Sequence, residues 1–415
     1  MATRLECDLL IPGSGSPLTN GCVVIEGAKI AYAGPREGAP ASASSDKTEV
    51  VPVVTPGFWD AHTHFGGMRT FSLEEQIYTS PWVGMARSVV DAQKVLGMGF
   101  TSVRELGGLG LYLGRATRDG SVPGPHIYGA GMLLSMTGGH GDAHAFPLSY
   151  VRGEMDRLGY PGPCDGVADC TAAVRKLLRL GAPVIKICAT GGVLSDMDNP
   201  KHQEFSVEEM RAIVEEAGRA ERIVAAHCHG KAGIMAALEA GVKTIEHGSY
   251  LDDESADRML ETGAILVPTR TIVHTMVSSK NSGIPEFMLE KGRALADRHR
   301  TAVRTAVRKK VPIALGTDIG GSSEAAPCYW GMNGLEFSLL VEDGGMTPLE
   351  AIEAGTANGA LTLGPQAPRS GQLKEGYAAD VLVLREDPLK NIASLTKPEN
   401  FLQVWKDGKL AARRS

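Results

Sequence analysis

The 415-residue sequence predicts an α/β fold: a (β/α)8 TIM-like barrel with a small β-sandwich built from its N- and C-terminal segments. Three observations predict it. Apolar strand-like runs alternate with amphipathic helical stretches eight times through the middle of the chain. Short strand-and-turn segments punctuated by Gly, Pro and Ser flank that middle on both sides. Histidines and other polar residues stand where successive barrel strands end, which is where such barrels keep their chemistry.

The elements follow in chain order. "CDLLIPG", "GCVVIEGAKIAYAG" and "TEVVPVVTPG" read as short antiparallel strands separated by "GSGSP" and "GPREGAPASASS". Barrel strands are expected over 53–62, 101–105, 126–130, 183–188, 223–227, 244–247, 265–268 and 312–316, with helices such as "VEEMRAIVEEAGRAE" and "DRMLETGA" between them. At the other end "GYAADVLVLRED" and "FLQVWKDGKL" return to strand character. Residues 1–55 and 368–415 are therefore expected to form the sandwich, and 56–367 the barrel.

Composition narrows the function. Hydrophobic residues make up 43% and charged residues 22%, enough apolar material for the core of a globular enzyme. A net charge of −6 argues against nucleic acid as a partner. The most basic stretch, "RHRTAVRTAVRKK" (298–310), has the spacing of a solvated helix face. Seven cysteines, an odd and scattered set without a CxxC pair, suit reduced thiols in a cytoplasmic protein. "MATRLECDLLIPGSGSP" lacks the apolar core of a signal peptide, and no run reaches the ~18 apolar residues of a membrane span. A soluble, cytoplasmic protein without a membrane partner is expected.

The chemistry is written at the strand ends. "PGFWDAHTHFGG" places His62 and His64 one residue apart, so an extended chain turns both rings to one face. "PVIKICATGG" sets Lys186 inside an apolar run, where an unpaired ammonium is costly. "IVAAHCHG" ends in His227 and His229, "KTIEHGS" in His247 and "PIALGTDIGG" in Asp318. Any one of these has an ordinary structural explanation, such as a helix cap or a hydrogen-bonded loop residue. Together they make a coherent metal site, since imidazole suits Zn2+ and similar ions. Reaction of the Lys186 amine with CO2 would turn a buried cation into a carbamate able to bridge two cations.

The set "DAHTH", "VIKICATGG", "AAHCHG", "IEHGS" and "LGTDIGG" resembles the metal-dependent amidohydrolase superfamily, across essentially the whole chain. The branch it is most similar to holds prolidase-like Xaa-dipeptidases, imidazolonepropionase-related proteins and ochratoxin-cleaving amidases. The resemblance implies two divalent ions, Zn2+ by preference. His62 and His64 would hold the more buried ion, Lys186 would be the carboxylated bridge, and His227 and His247 would hold the second. Asp318 would bind the first ion and act as base and then acid, after attack on an amide by a hydroxide between the ions. His229 and His140, the latter in "MTGGHGD", would meet substrate and support catalysis. Lys186 separates the chain from imidazolonepropionase itself, where one ion without the lysine is expected. The remaining histidines, 126, 144, 202, 274 and 299, are expected to be structural.

The implied substrate is a small-molecule amide: a dipeptide or N-acyl amino acid, or a xenobiotic such as a mycotoxin amide. Lactone, carbamate, urea and cyclic-amide hydrolysis suit the same site, and a non-catalytic scaffold ranks last because every ligand position is filled. Arg270 in "LVPTRTIVHTMV" is a candidate partner for a substrate carboxylate. "GGSSEAAPCYWGMN" (320–333) is expected to form a mobile wall, with Tyr329 and Trp330 either meeting an apolar substrate group or packing against the barrel rim, and 148–169 a substrate-side loop. By analogy with the branch, a homo-oligomer is expected.

Overall fold

The structure, a computed structural model, describes residues 2–70, 72–279 and 284–414. The first four strands are β1 (Thr3–Leu10), β2 (Leu18–Glu26), β3 (Lys29–Pro35) and β4 (Lys47–Pro56). The middle of the chain holds β5 (Phe58–Met68), β6 (Phe100–Glu105), β7 (His126–Gly129), β8 (Ile185–Cys188), β9 (Val224–Cys228), β10 (Thr244–His247), β11 (Ile265–Val267) and β12 (Ile319–Gly321). β13 (Val381–Leu384), β14 (Phe401–Lys406) and β15 (Lys409–Arg413) close it.

The two ends of the chain do pair. β13 lies antiparallel to β4, and one seven-stranded sheet runs β15-β14-β13-β4-β1-β2-β3. Among the described residues the terminal segments form this single sheet. Between β4 and β5 the chain leaves it at Gly57, where a Cβ would stand 2.1 Å from Thr101 Oγ1. Only glycine permits that approach. Phe58 then anchors the junction, its ring 4.8 Å from Phe337, 5.6 Å from Phe100 and 6.3 Å from Phe401 of the terminal sheet.

The middle strands are parallel and alternate with helices, as an α/β fold requires. They form two sheets of four, β12-β5-β6-β7 and β11-β10-β9-β8. Backbone hydrogen bonds cross from one to the other on both sides. Leu134 N donates to Lys186 O and Cys188 N to Leu134 O; opposite, Ala314 N donates to Leu266 O and Ala61 N to Leu315 O. The expected strand over 312–316 pairs only at Ile313, opposite Leu266, and β12 begins three residues beyond that stretch. Both quoted helices form, as Val207–Gly218 and Asp253–Thr262, each opened by a capping box. All seven cysteines are buried free thiols. Among the described residues no helix is long and apolar enough to cross a membrane.

Candidate active site

The strand ends bring the expected residues together. β5 carries His62 and His64, β8 carries Lys186, β9 ends beside His227 and His229, β10 ends in His247, and Asp318 directly precedes β12. His62, His64 and Asp318 form one group whose donor atoms lie within 4.8 Å of one another, and His227, His229 and His247 form another. His62 Nε2 and His64 Nε2 stand 3.4 and 3.0 Å from Asp318 Oδ1. The groups adjoin, with the His62 and His247 rings 5.0 Å apart. Lys186 is within electrostatic reach of both and is 2% exposed. Its amine has no hydrogen bond or ion pair among the described residues.

Each imidazole is held from behind by one nitrogen, which leaves the other to face the site. His62 Nδ1 lies 2.9 Å from Glu246 Oε2, and His64 Nδ1 donates to Gly107 O at 2.7 Å. His227 Nε2 donates to Gly191 O at 3.1 Å; His229 Nδ1 meets Ser249 Oγ at 2.8 Å and His247 Nδ1 meets Thr269 Oγ1 at 2.7 Å. Metal-binding histidines are oriented in this way. Burial lowers the His62 ring to about 4 and the His229 ring to about 3, and takes His227 and His247 well down. Burial would raise Asp318, but His62 and His64 hold it at about 2. His64 differs: burial would lower it, but Asp318 and Gly107 O raise it. Neutral imidazoles and an ionised carboxylate are the forms that bind a cation, and the Lys186 amine is buried beside them. The donor set therefore fits divalent metal.

Strain marks the same place. His247 (φ 69°), Thr269 (φ 51°) and Asp318 (φ 62°) adopt the left-handed region that non-glycine residues avoid. Such conformations persist where surrounding structure over-determines them, commonly at functional sites.

Sequence reasoning missed the charged layer beneath. Glu246, fully buried, accepts from Arg104 Nη2 at 2.7 Å and Thr244 Oγ1 at 2.6 Å while its other oxygen holds His62. Asp60 accepts from Thr317 Oγ1, Asn333 Nδ2 and the backbone N of His62. The signal was available: each is a charged residue inside an apolar strand, the same anomaly that singled out Lys186.

The site floors a cavity of about 1480 Å³, counting its open mouth. Four methionines (Met68, Met132, Met155, Met276) with Leu133, Val151, Leu194 and Ile272 give it an apolar stretch of wall. His140 also lines it, stacked on His227 at 4.3 Å. Arg270 does not. Its guanidinium is 1% exposed, bonded to Asp343 Oδ2 at 2.8 Å and His299 Nδ1 at 3.0 Å, away from the cavity. A buried cation keeps its counter-charge, so the expected carboxylate role is corrected. The 320–333 stretch is likewise no mobile aromatic wall. Trp330 is 2% exposed and stacks on Phe65 at 4.2 Å, leaving Gly320 and Gly321 on the cavity. Within 148–169 a helix, Leu148–Arg157, supplies Val151 and Met155 to the wall. His126 sits apart at the start of β7, near Asp380 and Asp407.

The match to known proteins agrees with this geometry. Residues 53–411 match the amidohydrolase family. The chain belongs to that family and is a hydrolytic enzyme acting on amide bonds. It is 45% identical to ochratoxinase of Aspergillus niger over 421 residues, 98% of this chain and 86% of that protein. The crystal structure of A. niger ochratoxinase superimposes with a TM-score of 0.91 at 42% identity, over 99% of this chain and 96% of that one. A Xaa-Pro dipeptidase with bound methionine in its active site gives 0.86 at 30% identity over 99% of each chain. Imidazolonepropionase of Streptomyces griseus is 26% identical, covering 95% of this chain and 94% of that one.

Proposed function

We propose that this chain hydrolyses the amide bond between a bulky apolar acyl group and an amino acid, using two divalent ions, at the mouth of one barrel built from the two parallel sheets. The observation that carries the reading is the pair of adjoining donor groups, with Lys186 buried beside both and lacking a partner. His62, His64 and Asp318 would hold one ion; His227 and His247 would hold the other, leaving His229 for substrate. Lys186 would join them as a carbamate, its nitrogen bonding CO2 and releasing a proton, which exchanges a costly buried cation for an anion with two oxygens. Bound there, Zn2+ or a similar ion supplies an acidified water and a polarised carbonyl at neutral pH.

The chain's own residues do the rest. Asp318, ionised and touching both His62 and His64, accepts the proton freed as water adds to the carbonyl and delivers it to the departing nitrogen. His140 and His229 are positioned to hydrogen-bond the oxygen on which charge develops, or the product carboxylate. The methionine-rich wall favours an aromatic acyl group, because thioether sulfur packs well at ring edges. Ochratoxin, implied by the name of the Aspergillus relative, is an amide of that kind. Asp318→Asn tests the assignment. It should abolish turnover of N-acyl amino acids while most bound metal is retained, and near-normal activity would overturn it.

A further inference from the structure

Lys291 belongs to neither donor group, yet its ammonium is closely surrounded by oxygens. It lies on the helix Glu286–Lys309 and reaches the 191–199 loop. There Nζ donates to Ser195 O at 2.7 Å, Asp198 O at 2.7 Å and Gly192 O at 3.2 Å, and pairs with Asp198 Oδ1 at 3.1 Å. With Asp196 O at 3.5 Å, four carbonyls of one short loop thus converge on a single cation.

That loop carries the fittings of His140. Ser195 Oγ is 2.7 Å from His140 Nδ1. Asp198 Oδ2 accepts from Gly192 N at 2.8 Å and stands 3.3 Å from the same Nδ1. Gly192 lies flat against the ring: a Cβ there would fall 2.1–2.5 Å from three ring atoms. The His227 ring stacks on it as well, at 4.3 Å. The His140 backbone N is fixed separately, donating to the Glu204 carboxylate at 2.9 and 3.1 Å. The ring, Nδ1 and the backbone are thus held, in a residue that lines the cavity.

We propose that Lys291 is a positioning residue for His140: by closing the 191–199 loop it fixes the direction in which His140 Nε2 meets substrate. The proposal rests on the cavity being the amide-cleaving site. Without the ammonium, four carbonyls turned toward one point repel one another and Asp198 loses its lysine, so the Nδ1 support of His140 loosens. A displacement of a substrate-facing group by about 1 Å can cost up to about a hundredfold in rate.

The test is a double-mutant cycle on the metal-loaded enzyme, with N-benzoyl-L-phenylalanine as substrate. Lys291→Met should lower kcat/KM about tenfold or more in the wild-type background and less than about twofold in His140→Ala, with metal content unchanged. Equal losses in both backgrounds would overturn the proposal, because a general structural role does not depend on His140. Gly192→Ala, which presses directly on the ring, should show the same dependence on His140; near-normal activity would count against the proposal, even if Lys291→Met fails to fold. Hydrogen exchange separates this idea from the reading of the site. If the wild type cuts no amide, that reading fails, but Lys291→Met should still speed exchange at 138–142 and 191–199. Unchanged exchange there would overturn the positioning role itself.

Discussion

Glu246→Gln keeps side-chain volume while removing one charge from the layer beneath the candidate metal site. Glu246 and Arg104 are both fully buried, and their oxygen and nitrogen lie 2.7 Å apart. Burial by itself would raise the Glu246 carboxyl, but Arg104 and His62 hold it at about 2. Breaking a buried pair by neutralising one member costs about 3–5 kcal/mol. Asp60 also acts on Arg104, which places the expected loss near the lower figure, about 3 kcal/mol. A second effect follows from hydrogen-bond direction. Glu246 accepts at His62 Nδ1, leaving Nε2 as a lone pair for metal. A glutamine must turn its NH2 toward either His62 or Arg104. The first choice favours the wrong tautomer and the second sets two donors against each other. Affinity at the His62 group should therefore fall about 10–100-fold. Urea unfolding of the metal-free protein measures the first effect and competition with a zinc chelator the second. Stability within about 0.5 kcal/mol of wild type, the range of ordinary surface substitutions, together with unchanged metal affinity, would show that Glu246 supports neither the fold nor the His62 group.

Other consequences concern different parts of the molecule. Arg270→Met should destabilise the fold by removing one of the two cations on Asp343, with Arg300 Nε left at 2.9 Å, yet leave KM for a carboxylate-bearing substrate within about twofold of wild type; a large rise in KM would restore Arg270 to the substrate. Met155→Trp should fill the cavity wall, lowering kcat/KM for a naphthoyl amino acid about tenfold more than for its acetyl counterpart, measured side by side. Glu49, on β4, accepts from Gln403 and Arg413 on β14 and β15. Burial would raise its carboxyl, but Lys47, Gln403 and Arg413 hold it at about 2. Its folded value lies below its unfolded one, so its contribution is present above about pH 4.5 and is lost as pH falls toward 2. Thermal unfolding of Glu49→Gln should accordingly differ from wild type at pH 6 and converge on it at pH 2.5.

Much of this site was legible because metal chemistry imposes residue types on the sequence. His62, His64, Lys186, His227, His247 and Asp318 each break an apolar run at a strand end, and the structure gathers all six. Spacing could not sort His229 from its neighbours, since all three histidines of the second group stand equally close. Arg270 misled for a physical reason: its counter-charge, Asp343, and its neighbour His299 lie far along the chain, and sequence gives no register for such pairs. The loops were least readable. Trp330, in a Gly- and Ser-rich stretch, packs on Phe65 just past the HxH pair, a contact between distant segments that local composition does not encode. The two ends of the chain were expected to pair, and do so through β4 and β13, though their arrangement as one sheet depends on contacts that alternation alone does not encode.

The two adjoining donor groups call for a two-ion amide hydrolase. Metal analysis of the purified protein, combined with turnover of N-acyl amino acids before and after chelation, tests it most directly. About two ions per chain, with hydrolysis lost on chelation and restored by Zn2+, is the predicted result. A single ion with turnover restricted to amine release, or amide hydrolysis that survives complete metal removal, would contradict it.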